Sequence, residues 1–253
     1  MGDSNNTIKV AEHFLSIQGE GPTAGRRSVF LRLQGCNLMC GGQATVFDKQ
    51  LHDGATWRCD TIEVWMKGER YSVEGLLELF KQQGYLQALR EGAHLIITGG
   101  EPLIQQEVLP EFLMRLYLTL EKHFHVEVET NGTIIPSEEF SNHVSQWNVS
   151  PKLKNSGTHE HKRIKLQALD WFAEDPRAYF KFVVADLADV NEVEGVFLAN
   201  HPIVKERVFL MPAASDRDTL RSREDAVSMY ALALGVNYSS RLQVQIWNMT
   251  TGV

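Results

Sequence analysis

The chain has 253 residues, 43% hydrophobic and 23% charged, inside the range of a globular protein with a sizeable core, and its formal net charge is -7. That charge argues against a protein held mainly to nucleic-acid backbone, which needs a basic face, and no apolar run approaches the roughly 20 residues that cross a bilayer. The first residues, MGDSNNTIKV, lack the apolar core of a signal peptide, so the cytoplasm is the expected location.

Apolar, β-branched runs read as strands at 29–33 and 95–98, with a helical stretch between them that opens at the N-cap candidate Ser72 and shows Leu76, Leu77, Leu79 and Phe80 on one face. Pro110 begins a second helix, with Phe112, Leu113, Leu116 and Leu120 as its apolar side. Strands follow at 126–130, 147–150, 180–184, 208–211 and 242–247, with helical periods at 192–200 and 219–234. Alternating strands and helices imply a parallel sheet, either doubly wound or barrel-shaped. Polar, glycine-rich signatures recur where strands stop: Gly35-Cys36-Asn37, Thr98-Gly99-Gly100-Glu101-Pro102, Glu129-Thr130-Asn131-Gly132 and Ser150-Pro151-Lys152. In a barrel those ends share one face, where active sites are built. The expected fold is therefore α/β, a partial (β/α) barrel of about six parallel strands with flanking helices, as one domain over 1–253. Neither a linker nor an internal repeat interrupts it.

All three cysteines fall between residues 36 and 59. An odd count in a reducing compartment makes a poor disulfide set, so metal binding is the better question. Cys36 and Cys40 are spaced to bind neighbouring irons of a cubane, with Cys59 as a third ligand from a longer loop. Three ligands on four irons leave one iron open. Cys36, Cys40, His52 and Cys59 also make up the Cys3His set of a closed zinc centre, and these residues alone leave both readings standing.

The surroundings separate them. Ser16-Ile17-Gln18-Gly19-Glu20-Gly21, then Gly25, then Phe30-Leu31-Arg32-Leu33 leading to Gly35-Cys36-Asn37-Leu38, closely resembles the radical S-adenosylmethionine (SAM) family of 7-carboxy-7-deazaguanine synthases. Cys59-Asp60-Thr61, Thr98 to Pro102, Glu129 to Gly132, Val149 to Lys152, Lys181 to Val184 and Gly252-Val253 extend the match over most of the chain. The resemblance implies the modified partial barrel of the radical SAM type, usually a homodimer, holding a [4Fe-4S] cluster and SAM. It further implies conversion of 6-carboxy-5,6,7,8-tetrahydropterin to 7-carboxy-7-deazaguanine with loss of ammonia, as in queuosine-type synthesis. An electron donor such as a flavodoxin is implied with it. One departure is clear: the family places two residues between its second and third cysteines, whereas this sequence has eighteen, from Gly41 to Arg58. Loop closure costs grow slowly with length, so Cys59 is still expected as the third ligand. Two other classes stay in view: a glycyl-radical activating enzyme, which shares the cluster and GGEP logic, and a zinc module without catalysis.

For SAM, Gly99, Gly100 and Glu101 are expected near the amino group, with Asn131, Ser150 and Lys152 at neighbouring strand ends. For the anionic pterin, Arg32 offers a cation, Glu129 a carboxylate, and Gln18 and Glu20 a pair of polar contacts two residues apart. The family implies Thr61 as a Mg2+ ligand, a helix N-cap being its alternative. Glu127, on the same side of its strand as Glu129, needs a buried partner, for which Lys181 or Arg32 is the candidate. At the C-terminal end, Gln245 or Trp247 is expected near the pterin and Val253 over the pocket. His123, His125, His159 and His161 receive no role.

Overall fold

β-Branched and aromatic runs assemble into nine strands among residues 7–250 and 252, which this computed structural model describes. β1 (Ile8–Ile17) and β2 (Arg27–Leu33) form an antiparallel hairpin, and β3 (Glu69–Tyr71) pairs with the other edge of β1. From β2 a parallel series runs through β4 (His94–Gly99), β5 (Val126–Thr130), β6 (Gln146–Val149), β7 (Ala178–Val184), β8 (Val208–Pro212) and β9 (Asn237–Tyr238). The order β3-β1-β2-β4-β5-β6-β7-β8-β9 is that of a partial (β/α) barrel, β9 adding only two residues to six longer parallel strands.

Helices cover the convex side. Ser72 caps the helix Val73–Gln82 by accepting the Gly75 N–H (3.1 Å), and Pro110 sits in the first turn of Leu109–Leu120, both as the sequence indicates. Phe80 and Phe112 meet edge-on between these two helices, centroids 5.2 Å apart. Further along, fully buried Trp147 packs edge-on against Phe140, Trp171 and Phe172. β5 shows how one strand serves two surroundings. Val126 and Val128 join the apolar core, while Glu127 and Glu129 alternate onto the concave side.

Several elements differ from the sequence reading, among them these three. Residues 242–247, expected as a strand, form the helix Leu242–Trp247. So short an apolar alternation fits either period, and here β9 takes the place beside β8 while Val244 packs on Ala214 and Leu220. β1 escapes the pattern because a bulge between Val10 and Glu12 breaks its alternation. The helix expected at 192–200 begins earlier, as Leu187–Glu192 capped by Asp186, and widens into π-turns over Val193–Leu198.

Candidate active site

The strand-end signatures converge on one cavity of about 640 Å3 at the carboxyl ends of the parallel strands. Its wall includes Cys36, Cys40, Cys59 and Thr61, then Gly99, Gly100, Asn131, Ser150 and Lys152, and also Gln18, Glu20, Arg32 and Glu129. Of the sequence-derived site residues, Glu101 is not in the lining and Val253 lies outside the described residues.

Chain geometry explains how the long gap between cysteines is tolerated. The 41–58 segment leaves after Cys40 and returns with the Cys59 N–H bonded to the Cys40 carbonyl (3.2 Å), so the third thiol comes back beside the second. On the way it is tied to one neighbouring loop: Gly41 N–H to Ser156 O (2.9 Å), Thr56 N–H to Asn155 O (2.8 Å) and Trp57 Nε1–H to Asn155 Oδ1 (2.8 Å). Burial pushes the Cys36 thiol up to about 11 and the Cys40 thiol up to about 12, against pulls from the Leu38 N–H and Lys152 respectively. Such thiols are poor nucleophiles, and become thiolates when a metal replaces the proton.

The described residues do not gather the Cys3His set as a closed zinc centre needs. A single zinc holds its sulfurs roughly 3.8 Å apart, yet among the described residues the one trio of His, Cys, Asp or Glu donors within 4.8 Å is elsewhere in the fold. His52, the fourth ligand that reading needs, is instead bonded to Asp48 (2.8 Å). Thr61 occupies the N-cap position of the helix Ile62–Trp65 but makes no side-chain cap bond, and its hydroxyl lies 3.4 Å from Cys59 Sγ, on the cavity wall.

At the end of β4 the two glycines are required by contact. A Cβ on Gly99 falls 2.3 Å from the Leu33 carbonyl oxygen, at φ +134°, and one on Gly100 falls 1.9 Å from the Gly35 oxygen and 2.8 Å from Cys36 Cβ. Backbone thus packs directly on the cysteine loop. Glu101, expected to meet SAM directly, is fully buried and turned inward. It accepts from Thr130 Oγ1 (2.8 Å), Asn131 N (2.7 Å) and Leu103 N (3.1 Å), so it fixes the end of β5 against the end of β4. Burial raises its pKa, these donors pulling it back. Asn131 in turn gives its Nδ2–H to Asn37 Oδ1 (2.8 Å), clipping the residue after Cys36 to β5.

The loop after β1 supplies the other wall. Gln18 Nε2 donates to Glu129 Oε1 (3.1 Å), and Thr98 Oγ1 to Glu129 Oε2 (2.6 Å). Gln18 Oε1 accepts the Gly19 N–H (2.8 Å), folding the loop back on itself. Glu20 Oε1 accepts from Arg241 Nε (3.0 Å) and Gln243 Nε2 (2.6 Å), and Oε2 from Lys181 Nζ. Burial by itself raises the Glu20 pKa, but the two cations outweigh it and hold the carboxyl ionised, well below the usual range. Gly19 lets the chain pass, since a Cβ there meets Gln243 Oε1 at 1.9 Å. Arg241 also reaches Asp60 Oδ2 (2.8 Å), joining this loop to the residue after Cys59. Arg32 gives its Nε–H to Glu12 Oε1 (2.6 Å) and, among the described residues, has no other bonded partner. Lys152 bonds Ser150 Oγ (3.0 Å) and sits over Trp57, 6.0 Å from the ring centroid.

Glu127 corrects an expectation. Its partner is neither Lys181, which is taken by Glu20, nor Arg32, which is taken by Glu12. Glu127 sits one pleat nearer the amino ends, where His94 Nδ1 bonds Oε1 (2.7 Å) while Thr23 Oγ1 (2.9 Å) and Asn148 Nδ2 (2.8 Å) donate to Oε2. At the C-terminal segment Trp247, Gln243 and Gly252 line the cavity, whereas Gln245 donates to Ser240 instead. Arg241, Gln243 and Asn148 are absent from the sequence reading. The one signal for Arg241 is indirect: a buried Glu20 demands cations.

Comparison with known proteins agrees with this geometry. The chain is 35% identical over 251 residues to the 7-carboxy-7-deazaguanine synthase of Pyrobaculum aerophilum, covering 97% of each. It is 30% identical over 271 residues to the protein of that name from Halobacterium salinarum, covering 98% of this chain and 93% of the relative. Among solved structures, the crystal structure of QueE from Escherichia coli matches with a TM-score of 0.60 and 26% identity, over 96% of this chain and 100% of that one. No protein-family model matches the sequence.

Proposed function

The chain belongs to the 7-carboxy-7-deazaguanine synthase family, radical SAM lyases of deazapurine biosynthesis that use a [4Fe-4S] cluster and SAM, and we propose how its own residues perform that work. The substrate is 6-carboxy-5,6,7,8-tetrahydropterin, and the product 7-carboxy-7-deazaguanine forms with loss of ammonia. One observation supports the reading above others: the cysteine loop, the GGEP turn, the QGEG loop and the end of β5 border a single cavity.

Cys36, Cys40 and Cys59 would hold the cluster. A [4Fe-4S] cluster held there would supply the electron for reductive cleavage of SAM, the chemistry that starts hydrogen abstraction. Gly99 and Gly100 place bare backbone against the cysteine loop, leaving room for the SAM amino group, and Asn131, Ser150 and Lys152 contact the rest of SAM from neighbouring strand ends. Glu101 acts through Asn131, whose position it sets. On the substrate side, Glu129 accepts the donor edge of the pterin, oriented by Gln18 and Thr98. Arg32 offers its terminal N–H pair to the substrate carboxylate while Glu12 holds its Nε–H. Lys181 and Arg241 keep Glu20 ionised and aimed into the cavity. Thr61 holds Mg2+ through its hydroxyl, an oxygen donor suited to a hard cation.

Residues 1–253 are read as one radical SAM domain, homodimeric and cytoplasmic, reduced by a flavodoxin-type donor. Among the described residues no helix is long and apolar enough to cross a membrane. The test is anaerobic incubation of the cluster-loaded protein with the carboxypterin, SAM and a chemical reductant. Formation of 7-carboxy-7-deazaguanine, faster with Mg2+ than with a chelator, is expected. Absence of product from protein with full iron and sulfide content overturns the substrate assignment, and an equal rate with chelator removes the metal from Thr61.

A further inference from the structure

We propose that His94, His125 and Glu127 bind a divalent transition-metal ion of the zinc class at the amino ends of β4 and β5, separate from the cysteine centre. Strand register brings the three together. Leu95 pairs with Val126 and Ile96 with Glu127, so His94, the first residue of β4, and His125, just before β5, lie side by side, and His125 and Glu127, two residues apart, share a face. Their imidazole rings lie 4.1 Å apart, centroid to centroid.

The donors are spaced for one ion. His94 Nδ1 stands 2.7 Å from Glu127 Oε1 and His125 Nε2 stands 3.7 Å from the same oxygen, all three lying within 4.8 Å of one another. A tetrahedral zinc with bonds of about 2.0–2.2 Å sets its ligands about 3.3 Å apart, between those two separations. His125 Nε2 is buried and has no hydrogen-bond partner among the described residues, although Glu127 lies just beyond bonding distance. A buried imidazole nitrogen left unbonded 3.7 Å from a carboxylate oxygen is placed as a metal ligand would be.

The carboxylate is also prepared on its far side. Oε2 takes hydrogen bonds from Thr23, Asn148 and, at 3.3 Å, Gln146, which leaves Oε1 to face the imidazoles and fixes its direction. An imidazole pair with one carboxylate suits zinc and its neighbours in the first transition row rather than Mg2+ or Ca2+, which prefer oxygen. The His94 and His125 side chains are 12% and 34% exposed, so the ion enters from the amino end and keeps a water as fourth ligand. On binding, the proton shared by His94 and Glu127 is released. The ion ties β4 to β5 and, through Thr23, to the loop that carries Gln18.

The test begins with cluster-loaded holoenzyme dialysed against zinc chloride, so that the thiols are already occupied. Metal analysis is expected to find about one zinc per chain, with affinity at least about 100-fold weaker in His125→Ala and about tenfold weaker in Thr23→Ala. Retention of no zinc by the wild-type holoenzyme, or equal retention by folded His125→Ala and His94→Ala, overturns the site. A second measurement guards against a misfolded variant. In the full chain carrying Cys36→Ala, Cys40→Ala and Cys59→Ala, Co2+ should give visible d–d bands without sulfur charge transfer. Adding His125→Cys should then create a thiolate-to-cobalt band in the near ultraviolet, and a spectrum unchanged by that substitution rejects the ligand set.

Discussion

Glu127 and Glu129 sit two residues apart on one strand, face the same way, and live in different chemistry. Glu129 borders the open cavity, steadied by Gln18 and Thr98. Glu127, one pleat toward the amino ends, is 0% exposed and surrounded by His94, Thr23, Asn148 and Gln146. The same side chain faces the open cavity at the carboxyl ends and a packed set of protein donors at the amino ends.

Substitutions can break or sharpen that contrast. The largest effect belongs to Gly100→Ala at the carboxyl ends, because the new methyl collides with the Gly35 carbonyl and Cys36 Cβ. Neither neighbour is a flexible side-chain tip, so cluster content and turnover should both fall to background, measured as iron, sulfide and product. Next is Glu20→Gln, which leaves Lys181 and Arg241 without their carboxylate and should cost about 3–5 kcal/mol in denaturant unfolding. Its pH dependence has a definite sign. The folded pKa of Glu20 lies below its ordinary 4.5, so its contribution is present above that pH and is lost as the pH falls below it. The stability gap between wild type and Glu20→Gln should therefore narrow from pH 7 to pH 3, and a gap that widens would contradict the ion-pair account.

Glu129→Gln and Glu127→Gln compare the two carboxylates directly. The first should weaken pterin binding by about 1.5–3 kcal/mol, roughly 10- to 100-fold in KM, with little change in Tm. The second should lower stability by about 1–3 kcal/mol, several degrees in Tm, with KM much less affected. If the two variants behave alike, the division between strand ends is wrong. The smallest effect is expected at Phe47, 87% exposed on the 41–58 segment: Phe47→Ser should change stability by no more than about 0.5 kcal/mol and leave turnover with a chemical reductant unchanged.

Much of the cavity was legible because its parts are local. Turn chemistry at the strand ends needs particular residues in sequence, as at Thr98 to Pro102, and those motifs read directly. Pairings across the sheet do not. Which cation neutralises Glu20 depends on β7 and the segment after β9 lying near the loop after β1, and nothing local links Glu20 to Lys181 or Arg241. Likewise the partner of Glu127 follows from the register of β4 against β5, which sets His94 beside it. The strand read at 242–247 failed for a related reason: its alternation is real, but the sheet position it would fill is taken by Asn237–Tyr238.

The single hydrogen bond from the Cys59 N–H to the Cys40 carbonyl has a wider meaning. It makes the position of Cys59 depend on where the chain returns, not on how far it has travelled. Loop length and the arrangement of the cysteines are thereby decoupled. Residues 41–58 can be long because their points of exit and return stay joined at Cys40 and Cys59.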